Sequence, residues 1–235
     1  RSHYRIRRID PKAGKVETVA GNGKKQFGGD NGPAAGATLN FPHGMDMDKD
    51  DNLIFSDKGH YRIRKISPDG IIQTIAGNGV RGNIGDGVPA LEANLYGVST
   101  IVLNPKGDIF MVSPSGFVSV IRRIDAKGVI RDYLDTADKR YLDAIEKSEH
   151  KGRVQTGSVA IITQFSDIVF DHKGNLYFSD RLNNQIRKMT PEGNIVNIGG
   201  TGDADHTGDG GSAVKATFRD PNALAVDKEG NLYIA

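Results

Sequence analysis

The sequence predicts an all-β protein, a β-propeller of four-stranded antiparallel blades, and two observations predict it. The first is an internal repeat of about 56 residues. Ile-Arg-Arg-Ile-Asp at Ile6 returns as Ile-Arg-Lys-Ile-Ser at Ile63, Ile-Arg-Arg-Ile-Asp at Ile121 and Ile-Arg-Lys-Met-Thr at Ile186, and Asp-Asn-Leu-Ile-Phe-Ser-Asp at Asp51 has counterparts at Gly107, Gly174 and Gly230. A unit this short cannot bury its hydrophobic faces alone and must stack on copies of itself. The second is turn chemistry. The chain has 30 glycines in 235 residues, most of them between short strand-like runs, which is the punctuation of an all-β repeat.

One repeat, Pro42 to Gly79, gives the elements in order. Gly44 to Asp48 alternates apolar and polar residues, as a short strand does. Lys49 to Asn52 is a polar turn, and Leu53-Ile54-Phe55-Ser56 is an apolar run suited to a strand covered on both faces. Asp57 to His60 turns the chain into a third strand, Tyr61 to Ile66. Ser67-Pro68-Asp69-Gly70 is a tight turn, and Ile71 to Ala76 is the fourth strand. The Gly-rich stretch Gly77 to Val98 leads to the next blade. Ile63 and Ile66, three apart, point to opposite faces of their strand. Both faces must then be covered, which favours radial stacking over a two-layer sandwich.

The anchors Asn52, Asp108, Asn175 and Asn231 are spaced by 56, 67 and 56 residues. Blade boundaries therefore fall near 42, 98, 165 and 221, within one continuous domain over 1–235. The long interval holds an insertion over about 136–153, where Tyr141, Leu142 and Ile145 with charges between them predict a short amphipathic helix. Lys plus Arg is 31 and Asp plus Glu is 29, a net charge of +2, so nothing argues for a nucleic-acid partner. No apolar run is long enough for a membrane span. Cys is zero, which excludes thiolate nucleophiles, disulfides and Cys-ligated zinc.

The candidate contact residues follow from the repeat. His43, Ser99, Ser166 and Asn222 precede the first strand of successive blades and are polar in every copy. They predict a ring of contacts for a peptide or small ligand. One histidine is short of the three protein ligands a catalytic zinc needs, so no metal or cofactor is expected. Tyr141, Leu142 and Ile145 either pack on a blade edge or dock a partner. Asp30, Asp86 and Asp209 recur in the Gly-rich loops, the last with Asp203 and Asp205, but without calcium-loop spacing. They are expected to hold turns by accepting main-chain N–H bonds, and Asp57 and Asp180 to cap turns. Arg7, Arg64, Arg122 and Arg187 are expected to bind carboxylates or loop carbonyls between blades. Gly77-Asn78-Gly79 is followed by neither Lys-Ser/Thr nor a helix and reads as a turn, not a phosphate loop. No Ser–His–Asp order or nucleophile elbow appears, so no catalytic residue is assigned.

The motifs Ile-Arg-[Arg/Lys]-[Ile/Met], Thr-[Val/Ile]-Ala-Gly-Asn-Gly at Thr18 and Thr74, Gly-Asp-Asn-Gly-Pro-Ala at Gly29 and Gly-Asn-Leu-Tyr at Gly174 and Gly230 together resemble NHL repeats. The likeness is to the long Gly-rich form of secreted bacterial and protist proteins and of teneurin propellers. It covers nearly the whole chain and implies a propeller, usually six-bladed, of which four blades' worth is present. The segment Tyr133 to Gly157 departs from it, lacking both Gly-rich motifs. The resemblance implies a non-catalytic scaffold that binds a protein or peptide, and slightly favours an extracellular or cell-surface setting. The alternative it implies is a propeller enzyme of the lyase or lactonase type with a channel-mouth site. Some similar lyases hold zinc with three histidines at positions that here are Ser99, Ser166 and Asn222. Some NHL proteins bind RNA through a basic face, which the balanced charge of this chain does not favour. Finally, Asn231 to Ala235 matches Asn52 to Ser56, and Arg1 to Ile6 matches Lys58 to Ile63. Either the ends zip into a four-bladed ring, or the chain is a segment of a larger propeller that packs on other segments of the same chain. The missing start Met and the stop within a strand favour the segment.

Overall fold

The structure is a computed structural model that describes residues 4–115, 118–134, 138–146 and 164–235. It divides into two compact units, one formed by Arg1–Leu103, Gly107–Ile109 and Ile124–Arg131, the other by Asn104–Lys106, Phe110–Arg123 and Asp132–Ala235.

In the first unit, β1 (Ile6–Asp10) and β2 (Lys15–Ala20) form a hairpin, with the Asp10 carboxylate accepting the N–H groups of Lys12 and Ala13 at the turn. After β3 (Gly32–Pro33) come β4 (Pro42–Met47), β5 (Leu53–Asp57), β6 (Arg62–Ile66) and β7 (Ile71–Ala76), and the sheet order is β3-β7-β6-β5-β4. The four predicted strands are all present, but the sheet has a fifth. Gly32 and Pro33 of the preceding Gly-rich loop pair with Ile72 and Ile71 on the outer edge. A proline is tolerated there because the edge strand needs only one side of its ladder. The next loop repeats the device, with β8 (Val88–Pro89) facing Ile130 and Val129. Ile63 and Ile66 are 0% and 3% exposed, so both faces of this sheet are covered, as their spacing requires. On one face Ile66, Phe55 and Ile72 join Ile6, Ala20, Ala34, Ala37 and Leu39 in one core. Burying Leu39 and Phe55 fully is worth about 2–3 kcal/mol each, relative to leaving them exposed.

The other five-stranded sheet contains β9 (Thr100–Leu103), β10 (Ile109–Ser115), β11 (Val118–Ile124) and β12 (Val129–Leu134), in the order β8-β12-β11-β10-β9. In the second unit, α1 (Lys139–Glu146) precedes the sheet of β13 (Phe165–Phe170), β14 (Leu176–Asp180), β15 (Gln185–Met189) and β16 (Ile195–Gly199). This sheet has four strands, and it is the one whose preceding segment lacks the Gly-rich motifs. A final hairpin pairs β17 (Leu224–Val226) with β18 (Leu232–Ile234). Among the described residues no helix is long and apolar enough to cross a membrane.

Two irregularities recur. Ile63 pairs with Ala76 while Arg64 pairs with Thr74, leaving Ile75 as an extra residue, and Ile186/Gly199 with Arg187/Asn197 repeats the same bulge. In the first strands, Pro42 pairs with Asp57 and Met45 with Phe55, as Phe165 pairs with Asp180 and Ile168 with Phe178. His43 and Ser166 therefore both lie in bulged stretches, where an extra residue redirects side chains.

Candidate functional site

The predicted contact residues lie where neighbouring first strands meet. The Nδ1 of His43 is 2.7 Å from the Ser99 carbonyl oxygen, and because a carbonyl only accepts, Nδ1 is the donor. Three residues along β4, the Asp46 carboxylate accepts the Leu103 N–H at 2.8 Å. Between these bonds sits Gly44, where a Cβ would stand 2.6 Å from the Ser99 oxygen. Only glycine lets the strands approach this closely. In the second unit Asp167 accepts the Leu224 N–H at 2.9 Å, and the Asn222 carbonyl accepts from Ser179 Oγ at 3.2 Å. Ser166 is half-buried and Asn222 exposed. His43 and Ser99 are thus joined through a main-chain carbonyl. Asp46 and Asp167, which sequence reasoning missed, tie neighbouring first strands. They stand at different positions of the repeat, Asp46 four residues into β4 and Asp167 two residues into β13, so no recurring motif marked them.

A second cluster is built around the repeated arginines. Arg64 is fully buried and donates to the carbonyls of Thr38 and Gly28 at 3.0 and 3.3 Å and to Asp30 at 2.6 Å. Asp30 also accepts from Thr74 Oγ1 at 2.7 Å. It holds its loop by side-chain donors, not by the main-chain N–H groups expected. Asp57, fully buried, lies 3.5 Å from Arg64, accepts the Asn40 N–H at 2.7 Å and faces His60 Nδ1 at 2.8 Å. It makes no cap bond to the turn that follows it, so the capping role expected of it is replaced by that of a shared acceptor. The His60 Nε2 reaches the Lys25 carbonyl at 2.5 Å, which pins the Gly-rich loop.

The second unit builds the same centre from different parts. Arg187 donates to Asp180 at 2.8 Å and to Gln185, Asn183 takes the His60 position with its amide 2.8 Å from Asp180, and Tyr141 Oη donates to Asp180 at 2.7 Å. Tyr141 also lies under the Arg187 guanidinium at 5.4 Å, as Phe27 lies under that of Arg64 at 5.2 Å. α1 therefore covers this arginine as the Gly-rich loop covers Arg64. Tyr141 is 0% exposed and packs edge-on against Phe165 at 5.5 Å, so it anchors the helix and presents no surface. Leu142 is half-buried, and the Ile145 side chain lies outside the described residues. Arg122 is buried and pairs with Asp132 at 2.7 Å, whereas Arg7 is exposed.

Repeated carboxylates also lock the turns after first strands. Burial would raise the Asp171 carboxyl, but hydrogen bonds from the side chain and N–H of Asn175, from Tyr177 Oη and from the Lys173 N–H outweigh it and hold it below the usual carboxylate range. Asp48 and Asp227 are held low by equivalent bonds from Asn52 and Asn231. Among the described residues no three His, Cys, Asp or Glu side chains converge as a metal site requires.

No protein-family profile matches the chain. It is 27% identical to teneurin-1 of Gallus gallus over 247 residues, covering 95% of this chain and 9% of that protein. Among solved structures it is similar to virginiamycin B lyase from Staphylococcus aureus, at 16% identity and a TM-score of 0.52, covering 99% of this chain and 56% of that one. It is also similar to a putative gluconolactonase, at 15% identity and a TM-score of 0.54, covering 99% and 64%. With the repeated motifs and sheets of four and five antiparallel strands, these likenesses support a repeat protein of the NHL type with the β-propeller fold. The chain spans about a tenth of the teneurin it matches, so it corresponds to one part of that protein.

Proposed function

We propose that the chain is a non-catalytic scaffold module that binds a protein or peptide. The observation that carries this reading is the use made of its recurring polar groups. His43, Asp46 and Asp167 spend hydrogen bonds on main-chain atoms of the next first strand, and Asp30, Asp57, Arg64, Asp180 and Arg187 on joining loop to sheet. Groups committed to holding backbone are poor candidates for moving protons. The teneurin likeness over nearly the whole chain agrees with a binding role. Leu142, half-buried on α1, with His43 and Ser99 in the first unit and Ser166 and Asn222 in the second, are the proposed contacts.

A second reading, an enzyme of the lyase or lactonase type, rests on the exposed imidazole of His43 at a strand bulge. The two are separated by incubating the chain with a divalent cation and either quinupristin or a gluconolactone. The scaffold reading predicts no turnover above the buffer rate. Metal-dependent turnover that disappears in His43→Ala would overturn it.

A further inference from the structure

One end of the first unit carries a cation–aromatic surface whose partner can be inferred. It is made by the Gly-rich loops and the turns that enter β1 and β6. The Lys25 ammonium sits over the Tyr4 ring at 5.3 Å, the Arg62 guanidinium over Phe27 at 3.8 Å and the Arg81 guanidinium over Tyr96 at 4.3 Å. Arg62 also links the two loops, since it stacks on Phe27 of the first and donates to the Asn78 carbonyl of the second at 3.1 Å. Lys24, Lys25 and Arg81 are exposed. Among the described residues Lys24, Lys25, Arg62 and Arg81 have no carboxylate within ion-pair distance. The acid of the first loop, Asp30, is taken by Arg64 and Thr74. Lys25, Arg62 and Arg81 are thus held by aromatic rings, Arg62 also by carbonyls and Arg81 by the Tyr96 hydroxyl. Asp30 and Asp57 partly offset the Arg62 charge, whereas Lys24, Lys25 and Arg81 have no ion-pair partner among the described residues. That is a preorganised acceptor for anionic groups, because the side-chain ordering is already complete. Apolar side chains project from the same loops, Phe27 at 38% and Ile84 at 73% exposed.

The inserted loop chemistry is specific to this unit. The equivalent of Gly23-Lys24-Lys25-Gln26 in the second unit is Gly202-Asp203-Ala204-Asp205, where the sign is reversed. The charge is therefore not required by the loop's fold, which both units share.

We propose that this surface binds an acidic peptide segment in which carboxylates are interspersed with apolar side chains. A nucleic acid fits less well. The three rings each already carry a cation on a face where a base would otherwise stack.

The inference rests on the binding reading above but fails separately from it, because it is tested by affinity and that reading by turnover. The test is fluorescence anisotropy with a labelled peptide of alternating Glu and Phe, its Lys–Phe counterpart and a single-stranded oligoribonucleotide. The Glu–Phe peptide should bind, more weakly as salt rises. The triple variant K24E/K25E/R81E should lose about tenfold or more in affinity, the sum of a few exposed charge contacts. Its melting temperature should match that of the parent, and K12E/K15E, on the opposite turn of β1 and β2, should bind as the parent does. Absence of Glu–Phe binding, equal binding by the triple variant, or tighter binding of the oligonucleotide would each overturn the proposal.

Discussion

Buried charge in this chain is organised around single carboxylates. Asp57 and Asp180 are both fully buried at the ends of second strands, and each gathers an arginine and a hydrogen-bonding side chain from the following turn. A buried charge persists only when its partners satisfy it, and removal of one partner strands the other. The turns after first strands use the same logic with the carboxylate as acceptor. Asp171 has a folded pKa below its unfolded value. Such a group contributes stability that is present above the unfolded pKa of about 3.9 and is lost as pH falls through the folded pKa. We therefore expect Asp171→Asn to cost about 2 kcal/mol at neutral pH, the value of hydrogen bonds to a charged group. The gap to the parent should narrow as pH falls through the folded pKa, where the parent's own carboxylate becomes protonated. Urea unfolding at neutral and at acid pH checks this, and a constant gap would contradict it.

Among the elements, the strands were legible in the sequence and their accessories were not. Ile63 and Ile66 could be assigned to opposite covered faces because side-chain alternation is fixed by the strand itself. The fifth strands escaped notice because Gly32-Pro33 and Val88-Pro89 read locally as breakers, and their pairing with Ile72 and Val129 exists only after folding. The row of His43, Ser99, Ser166 and Asn222 was visible as a repeat. The bulge that redirects His43 was not, because a register slip depends on the partner strand. Tyr141 was seen as part of an apolar face, but nothing local marks its hydroxyl as the partner of Asp180, 39 residues away. Its role predicts a measurement. An eight-residue helix is marginal alone, so α1 should depend on this anchor. Tyr141→Ala should cost about 3–5 kcal/mol, as for a large buried aromatic, and raise amide exchange across 139–146 more than in β14. Unchanged protection of α1 in the variant would show that the helix holds by other means.

At the scale of the whole molecule, the repeat supplies a frame and the variation supplies individuality. Two arginine–aspartate centres at equivalent positions of the repeat are closed in one unit by a Gly-rich loop bearing Asp30 and Phe27, and in the other by α1 bearing Tyr141. What differs between the units is therefore outside the frame, in loop charge and in the inserted helix. That is where a scaffold of repeated sheets acquires a partner of its own. The central claim is that the recurring polar residues serve the frame. It is tested most directly by the thermal unfolding of the double variant R64A/R187A, followed by circular dichroism. Each substitution strands a buried carboxylate at a cost of roughly 3 kcal/mol or more. The midpoint should fall by about 10 °C or more, given 2–4 °C per kcal/mol for a chain of this size. A variant that melts with the parent and has lost only the binding of a ligand would contradict the account.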